Sequence, residues 1–339
     1  MLALGKRWCG IGLVHSGRQC RPALRHNAAM ADTALAPHNI DSLERATLDA
    51  VCPAAQTELP GWLLPFDAAD IGRARSAIPL RHQDLDTSAL PAIEQLYRDQ
   101  GLPPTFRIAD TPGLRHWQNR LRDLGYRQTA PVHVQIASVA DMQAAAHRFV
   151  TTARKGFLQI ESQADGRARP AQNSALRQDD ASIWEDGSTM PMALITSSSQ
   201  EGAKGPTQVV LLDAPGPAWA SVYTAPGFDA ADGALRVQLL SRSRFARYAY
   251  VHNAGVSLAA GTVCISRDWL SVHGMRTLPH AQGQGLGASL LAAFTDLAHQ
   301  RGITRAFLQV EADNAPALAL YRRFGFTTAW TYHYWKAPA

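Results

Sequence analysis

The 339 residues are 46% hydrophobic and 18% charged, which is enough apolar content for two ordinary globular domains. The formal charge of +5 sits at one end. Lys6, Arg7, Arg18, Arg21 and Arg25 fall within residues 1–29 beside no acid, and the rest of the chain balances, so neither a basic face for nucleic acid nor a membrane span is indicated. The four cysteines, Cys9, Cys20, Cys52 and Cys264, lack CxxC spacing. They argue against a zinc site or a disulfide framework and for a reducing, cytoplasmic compartment.

In chain order, residues 1–38 read as a disordered basic leader. A targeting peptide fits less well, because the apolar patch WCGIGLV is short and no small-residue cleavage site follows it. The next segment, 39–155, alternates helical and extended patterns: helix 41–52, strand 59–66, strand 73–79, helix 88–100, strand 104–109, helix 113–124 and strand 126–137. Residues 156–206, rich in Ser, Gln, Asp, Gly and Ala, lack sustained periodicity and read as a flexible linker, with Trp184 and MPMALI unplaced. The last segment, 207–339, holds a strand at 269–275 and then a helix at 287–301, with Leu290, Leu291, Phe294, Leu297 and Ala298 at helical spacing. Gly302 is placed to end that helix. A strand at 306–312 follows, then a helix capped by Asn314 and ending at Gly325, then an alternating strand at 327–335.

The two segments repeat one pattern. Gly61, Pro79, Gly101, Phe106, Gly125 and Tyr126 recur as Gly261, Pro279, Gly302, Phe307, Gly325 and Phe326, at an offset of 200 or 201. RSAIPL (75–80) answers MRTLPH (275–280), and LRDLGY (121–126) answers YRRFGF (321–326). The fold class is therefore α/β, mixed α+β, in tandem copies.

The stretch LPHAQGQGLGASLL (278–291) places Gly283, Gly285 and Gly287 at the entry to a helix. A helix N-terminus presents unpaired N–H groups with the helix dipole behind them, and this suits a phosphate or pyrophosphate. No GxxxxGK[ST] is present, which excludes a nucleoside-triphosphate loop. Gly283, Gly285 and Ala288 also fit GxGxxA, with Glu311 ending the next strand, so a nicotinamide-dependent oxidoreductase stands as a rival. Six residues separate Met275 from Gln282, however, and the residues that follow leave no room for a second mononucleotide half.

Read as Gln282-x-x-Gly285-x-Gly287 and joined to NAPALALYRRFGF (314–326), the same segment resembles the GNAT superfamily of N-acetyltransferases over about residues 235–339. The resemblance implies two GNAT-like domains, each a mixed, mostly antiparallel sheet flanked by helices, with a degenerate first copy at 39–155 and a catalytic copy at 207–339. It implies acetyl-CoA as co-substrate and no metal. The backbone of Met275, Arg276 and Thr277 would pair with the pantetheine arm. Gln282, Gly283, Gln284, Gly285, Leu286, Gly287 and Ala288 would hold the pyrophosphate, Asn314 would touch the arm, and Tyr321 would protonate the leaving thiolate.

The base is open. One branch of the family carries a Glu where this chain has Gln309, which takes no proton at neutral pH. Glu311 lies on the same strand face, and His273 is expected to share a face with Ser271 and Met275. The first copy lacks the glycines, having LRHQDLDTS (80–88) with Asp84 and Asp86, and is expected to bind no coenzyme. The reading is an acetyl-CoA-dependent N-acetyltransferase acting on a small-molecule or peptide amine, without nucleic-acid or membrane partners. A non-catalytic acyl-CoA sensor is the main alternative. The sequence carries no indication of oligomeric state.

Overall fold

The computed structural model describes residues 37–69, 71–153, 158–162 and 207–338. Residues 1–36 of the expected leader, Trp184 and MPMALI lie outside the described residues, while residues 37 and 38 of that leader belong to the first helix. The first half runs α1 (Pro37–Val51), β1 (Ala55–Leu59), β2 (Trp62–Phe66), β3 (Ile78–Pro79), α2 (Leu90–Asp99), β4 (Thr105–Ala109), α3 (Arg115–Asp123), β5 (Arg127–Gln128), β6 (Val132–Ser138) and α4 (Val139–Ala153). The second half runs β7 (Leu158–Ser162), β8 (Thr207–Leu212), α5 (Pro217–Ser221), α6 (Ala230–Leu240), β9 (Ala246–Asn253), β10 (Val256–Ser266), β11 (Trp269–Thr277), α7 (Leu286–Gln300), β12 (Arg305–Glu311), α8 (Ala315–Arg323) and β13 (Thr327–Lys336).

Four local expectations change. The single strand at 59–66 is a hairpin, because the chain turns at Pro60–Gly61 and Leu59 pairs with Trp62. The strand at 73–79 is mostly a 3-10 turn, Gly72–Ala74, closed by a bond from Ser76 Oγ to Gly72 O of 2.7 Å; only β3 remains extended. Residues 158–162, inside the expected linker, form β7, which pairs in parallel with β8. The strand at 126–137 is also interrupted before β6, at a segment containing Pro131, which has no N–H to give.

The strands form a three-stranded sheet, β1-β2-β3, and a ten-stranded sheet in the order β4-β13-β6-β12-β11-β10-β9-β8-β7, with β5 on β13. Neighbours pair antiparallel except β11 with β12 and β7 with β8. The mixed, mainly antiparallel class is as the sequence indicates. It is not the parallel sheet of a dinucleotide fold, so the oxidoreductase reading falls.

The repeat reappears in space: α3 begins at Arg115 and α8 at Ala315, β4 at Thr105 and β12 at Arg305. Gly101 and Gly302, each just past its helix, take nearly the same left-handed conformation, φ +67° and +68°. The two copies exchange their last strands. β6 of the first half lies between β12 and β13 of the second, and β13 reaches β4 of the first. Each last strand is thereby paired on both sides, which removes the exposed edges that would invite unwanted pairing.

The ten-stranded sheet has an apolar layer on each face. One includes Leu290, Phe294, Leu308 and Phe326 from around α7 and α8, joined by Met142 of α4. The other includes Trp62, Phe106, Trp117, Trp269, Phe307 and Trp335. Helix α7 is buried almost all round, with Ala288, Ala292 and Ala293 among its covered residues, because it lies between the sheet and α4. Each large apolar side chain buried there stabilises the fold by roughly 1.5–3 kcal/mol. The buried hydroxyl of Thr295 is satisfied within the helix by Leu291 O at 2.7 Å.

Candidate active site

The site begins with a bulge in β11. Thr262 faces His273 and Ala260 faces Arg276, so Gly261 alone opposes both Gly274 and Met275. Gly274 takes φ +60°, and its carbonyl accepts a 2.6 Å bond from Tyr223 Oη. A bulge bends its strand and re-aims the following side chain. Two consequences are visible. The register of β11 with β12 stops at Val272 opposite Leu308, and beyond that point the strands part. The expected common face of Ser271, His273 and Met275 is also broken. The His273 ring lies 6.5 Å from that of Phe307, in the tryptophan-rich layer, while Met275 points to Gly261 and Gly287 on the α7 side.

Below the parted strands lies the glycine loop. A 3-10 turn, Pro279–Ala281, leads into it, and Gly283 and Gly285 follow at φ +75° and +79°, a region that side chains disfavour. Gly285 caps α7, its carbonyl accepting from Ser289 N at 3.0 Å. The backbone N–H groups from Gly283 to Ala288 donate to no described residue. These six consecutive donors at the positive end of a helix form an anion cradle.

The cradle opens on a cavity of about 680 Å³. Most residues assigned from sequence line it: Met275, Arg276, Thr277, Gln282, Gly283, Gly285, Leu286, Gly287, Ala288, Asn314 and Tyr321. Gln284 is turned aside, its amide donating to His280 O at 3.2 Å. The Arg276 side chain is engaged elsewhere, with Asp232 and Tyr223 O each at 3.1 Å and the Phe228 ring 4.3 Å away, so only its main chain is available to a ligand. Asn314 both caps α8, accepting from Ala317 N at 3.2 Å, and lines the cavity. The Tyr321 ring stands edge-on to Phe326, and its hydroxyl bonds to no described residue. Burial pushes this phenol up to about 12.

Six lining residues were not anticipated: Phe149, Ala281, Pro316, Ala317, Leu320 and Arg323. Ala317 follows from helical spacing, three residues after Asn314 and four before Tyr321, and Leu320 lies three residues further along the same side. Phe149 comes from α4 of the first half and sits against Gly285, a juxtaposition made only by tertiary packing.

The opposite face of the parted strands is polar and tightly bonded. His273 is buried, its Nε2 lies 2.8 Å from Ser271 Oγ, and its Nδ1 has no partner among the described residues. Burial, with a smaller push from Arg73, lowers its pKa to about 3, which is no environment for a base working near neutral pH. Gln309 donates to Thr47 Oγ1 at 3.1 Å and accepts from Tyr332 Oη at 2.9 Å and Arg107 at 3.3 Å. Arg107 is itself buried and ion-paired with Glu44, with Tyr332 beneath its guanidinium. Glu311 is exposed at the end of β12 and lines a second, smaller cavity.

The matching cleft of the first copy is filled. A Cβ on Gly113 would sit 2.2 Å from His82 O, and Trp117 Nε1 donates to Leu85 O at 3.0 Å, so loop 82–86 lies directly on α3. Among the described residues no three His, Cys, Asp or Glu side chains gather as a metal would require, and no helix is long and apolar enough to cross a membrane.

The sequence profile described as "Acetyltransferase (GNAT) family" matches residues 218–326, the stretch that carries the bulge, the cradle and Tyr321. This stretch is a GNAT acetyltransferase domain. Ahead of the GNAT domain, residues 38–164 match the profile "Probable histone acetyltransferase Rv0428c C-terminal". The chain is 48% identical over 68 residues to mycothiol acetyltransferase of Clavibacter michiganensis subsp. michiganensis, covering 18% of this chain and 22% of that protein. It is 51% identical over 53 residues to mycothiol acetyltransferase of Saccharomonospora viridis, covering 16% and 17%. The alignments thus span about a fifth of these relatives' length. The GCN5-related N-acetyltransferase from Kribbella flavida superposes with a TM-score of 0.52 at 16% identity, covering 88% of this chain and 96% of that one, so the likeness of fold extends beyond the GNAT domain into the first half.

Proposed function

We propose that the chain is an acetyl-CoA-dependent N-acetyltransferase that moves an acetyl group directly to the primary amine of a small-molecule acceptor. The observation that carries this reading is the row of unpartnered amides from Gly283 to Ala288, opening on the same cavity as the Tyr321 phenol. Amides at a helix N-terminus suit a pyrophosphate, each charge-assisted bond contributing roughly 1.5–3 kcal/mol. Where β11 leaves β12, the main chain of Met275, Arg276 and Thr277 suits an extended arm bearing amides of its own, and Asn314 faces it from the other wall. The filled cleft of the first half supports a single coenzyme site in the second. The curated relatives are named for mycothiol, which favours a small-molecule acceptor.

The donor supplies a thioester, whose sulfur leaves readily. The protein's work is to position the partners and move two protons. One leaves the amine nitrogen as its bond to the acyl carbon forms, and one reaches the sulfur as the carbon–sulfur bond breaks. Tyr321 suits the second task, because a phenol raised to about 12 keeps its proton through the neutral range until a thiolate develops beside it. Glu311 is our candidate for the first, directly or through water. His273 and Gln309 are set aside, the ring being held neutral by burial and the amide already bonded on both sides.

The test is coenzyme A release against a panel of primary amines, alongside calorimetric titration of acetyl-CoA. Tyr321→Phe is expected to lower kcat about 10²-fold, the lower end for a general acid, with acetyl-CoA affinity unchanged. Acetyl-CoA binding without release from any amine would leave a sensor, and absence of binding would end the reading altogether.

A further inference from the structure

The second cavity, on the far side of β12 from the cradle, holds about 240 Å³, the room of roughly eight waters. Tyr334, Glu311 and Lys336 line it, with Arg75 and Thr105. It adjoins the coenzyme cleft through the turn that ends β12, where Asn314 N donates to Glu311 O at 3.1 Å; Glu311 lines one cavity and Asn314 the other. On the same strand, the register of β12 with β11 ends at Leu308 opposite Val272, short of Glu311. Tyr334 is held against the main chain of Gly72, where a Cβ would come within 2.5 Å of its ring, so this wall is built closely.

Glu311 and Lys336 line one small cavity, yet neither makes an ion pair with any described residue. Both residues are also open to solvent. Here Glu311 ends β12 while Lys336 lies in β13, and β6 runs between those strands, which keeps the two side chains' anchors apart. Arg75 lines the cavity too, but is already engaged by another group.

Resting on the transferase reading above, we propose that this cavity is the acceptor pocket and that the acceptor is an amine that also carries an anionic group, its nitrogen at Glu311 and its anion at Lys336. An amine alone would leave Lys336 to water. A ligand bearing both charges complements the lining, and the volume limits it to something the size of an amino acid or a slightly longer homologue.

The probes are ω-amino carboxylates from glycine to 6-aminohexanoate, each paired with its primary amide, compared at equal concentrations of free amine. Coenzyme A release is measured, and binding of each probe to the full chain with coenzyme A present is followed by calorimetry. The expected result is at least one chain length at which the carboxylate exceeds its amide about tenfold in kcat/KM and in affinity. Lys336→Gln brings that ratio to about one, and Lys336→Arg keeps it. Glu311→Gln lowers release from carboxylate and amide alike. Amides equal to or better than carboxylates at every length, or a ratio untouched by Lys336→Gln in a folded variant, would overturn the anion assignment while leaving the transferase reading in place. Acetyl-CoA binding with neither heat nor thiol release from any probe would overturn the acceptor assignment, while release from another member of the primary-amine panel would keep the transferase reading.

Discussion

Gly283→Ala isolates the cradle, because the chain contains its own control. Gly283 (φ +75°) and Gly302 (φ +68°) share a left-handed backbone, and an added Cβ meets nothing within 4 Å at either position. An L-residue forced into that region costs roughly 1–2 kcal/mol. Gly283→Ala and Gly302→Ala should therefore destabilise the fold by similar amounts in urea titrations. They differ in what the new methyl group faces. Gly283 lines the cavity proposed for the coenzyme, whereas Gly302 follows the far end of α7. If a phosphate oxygen approaches the Gly283 amide, the methyl group displaces it, and losing one charge-assisted bond of roughly 1.5–3 kcal/mol weakens binding about 10- to 150-fold. Calorimetry with acetyl-CoA reads this directly. Equal affinity in wild type and Gly283→Ala, or an equal loss in Gly302→Ala, would refute the assignment of the cradle.

Two further outcomes follow from buried charge. His273 is lowered to about 3 in the folded chain from an ordinary value near 6.5, so between these values the unfolded chain binds a proton that the folded chain refuses. Stability should therefore fall as pH drops below about 6.5, by up to about 1.4 kcal/mol per pH unit from this residue, and level off above it. Urea titrations of His273→Asn from pH 4 to 6 should show a slope reduced by about that amount, and an unchanged slope would mean the ring is not held neutral. Arg107→Leu should cost about 3–5 kcal/mol by leaving Glu44 buried without its partner, while Glu44→Leu with Arg107→Leu should recover most of the loss. A double variant no more stable than the single one would show that the loss does not come from the stranded carboxylate.

Much of the second half was legible locally. The register of Asn314 and Tyr321 on one helix follows from spacing alone, and so do the glycine loop and the helix it opens. In the first half the errors share a cause. The stretches 59–66 and 73–79 read as strands by local pattern, but a turn at Pro60–Gly61 and a hydroxyl-to-backbone bond at Ser76 decide otherwise. Such competition between local hydrogen bonds and ladders carries little periodic signal.

The residues in order thus determined the twofold repeat, the placement of the glycines and the cap-to-phenol spacing, because each is a matter of neighbours along the chain. The exchange of β6 and β13 between the copies, the arrival of Phe149 beside Gly285 and the filling of the first cleft depend on segments far apart in sequence, and only tertiary packing decided them. The bulge belongs with these. Strict alternation would put His273 and Met275 on one face, but Gly261 opposing two residues of β11 turns them apart, and the register with β12 ends just before the same kink.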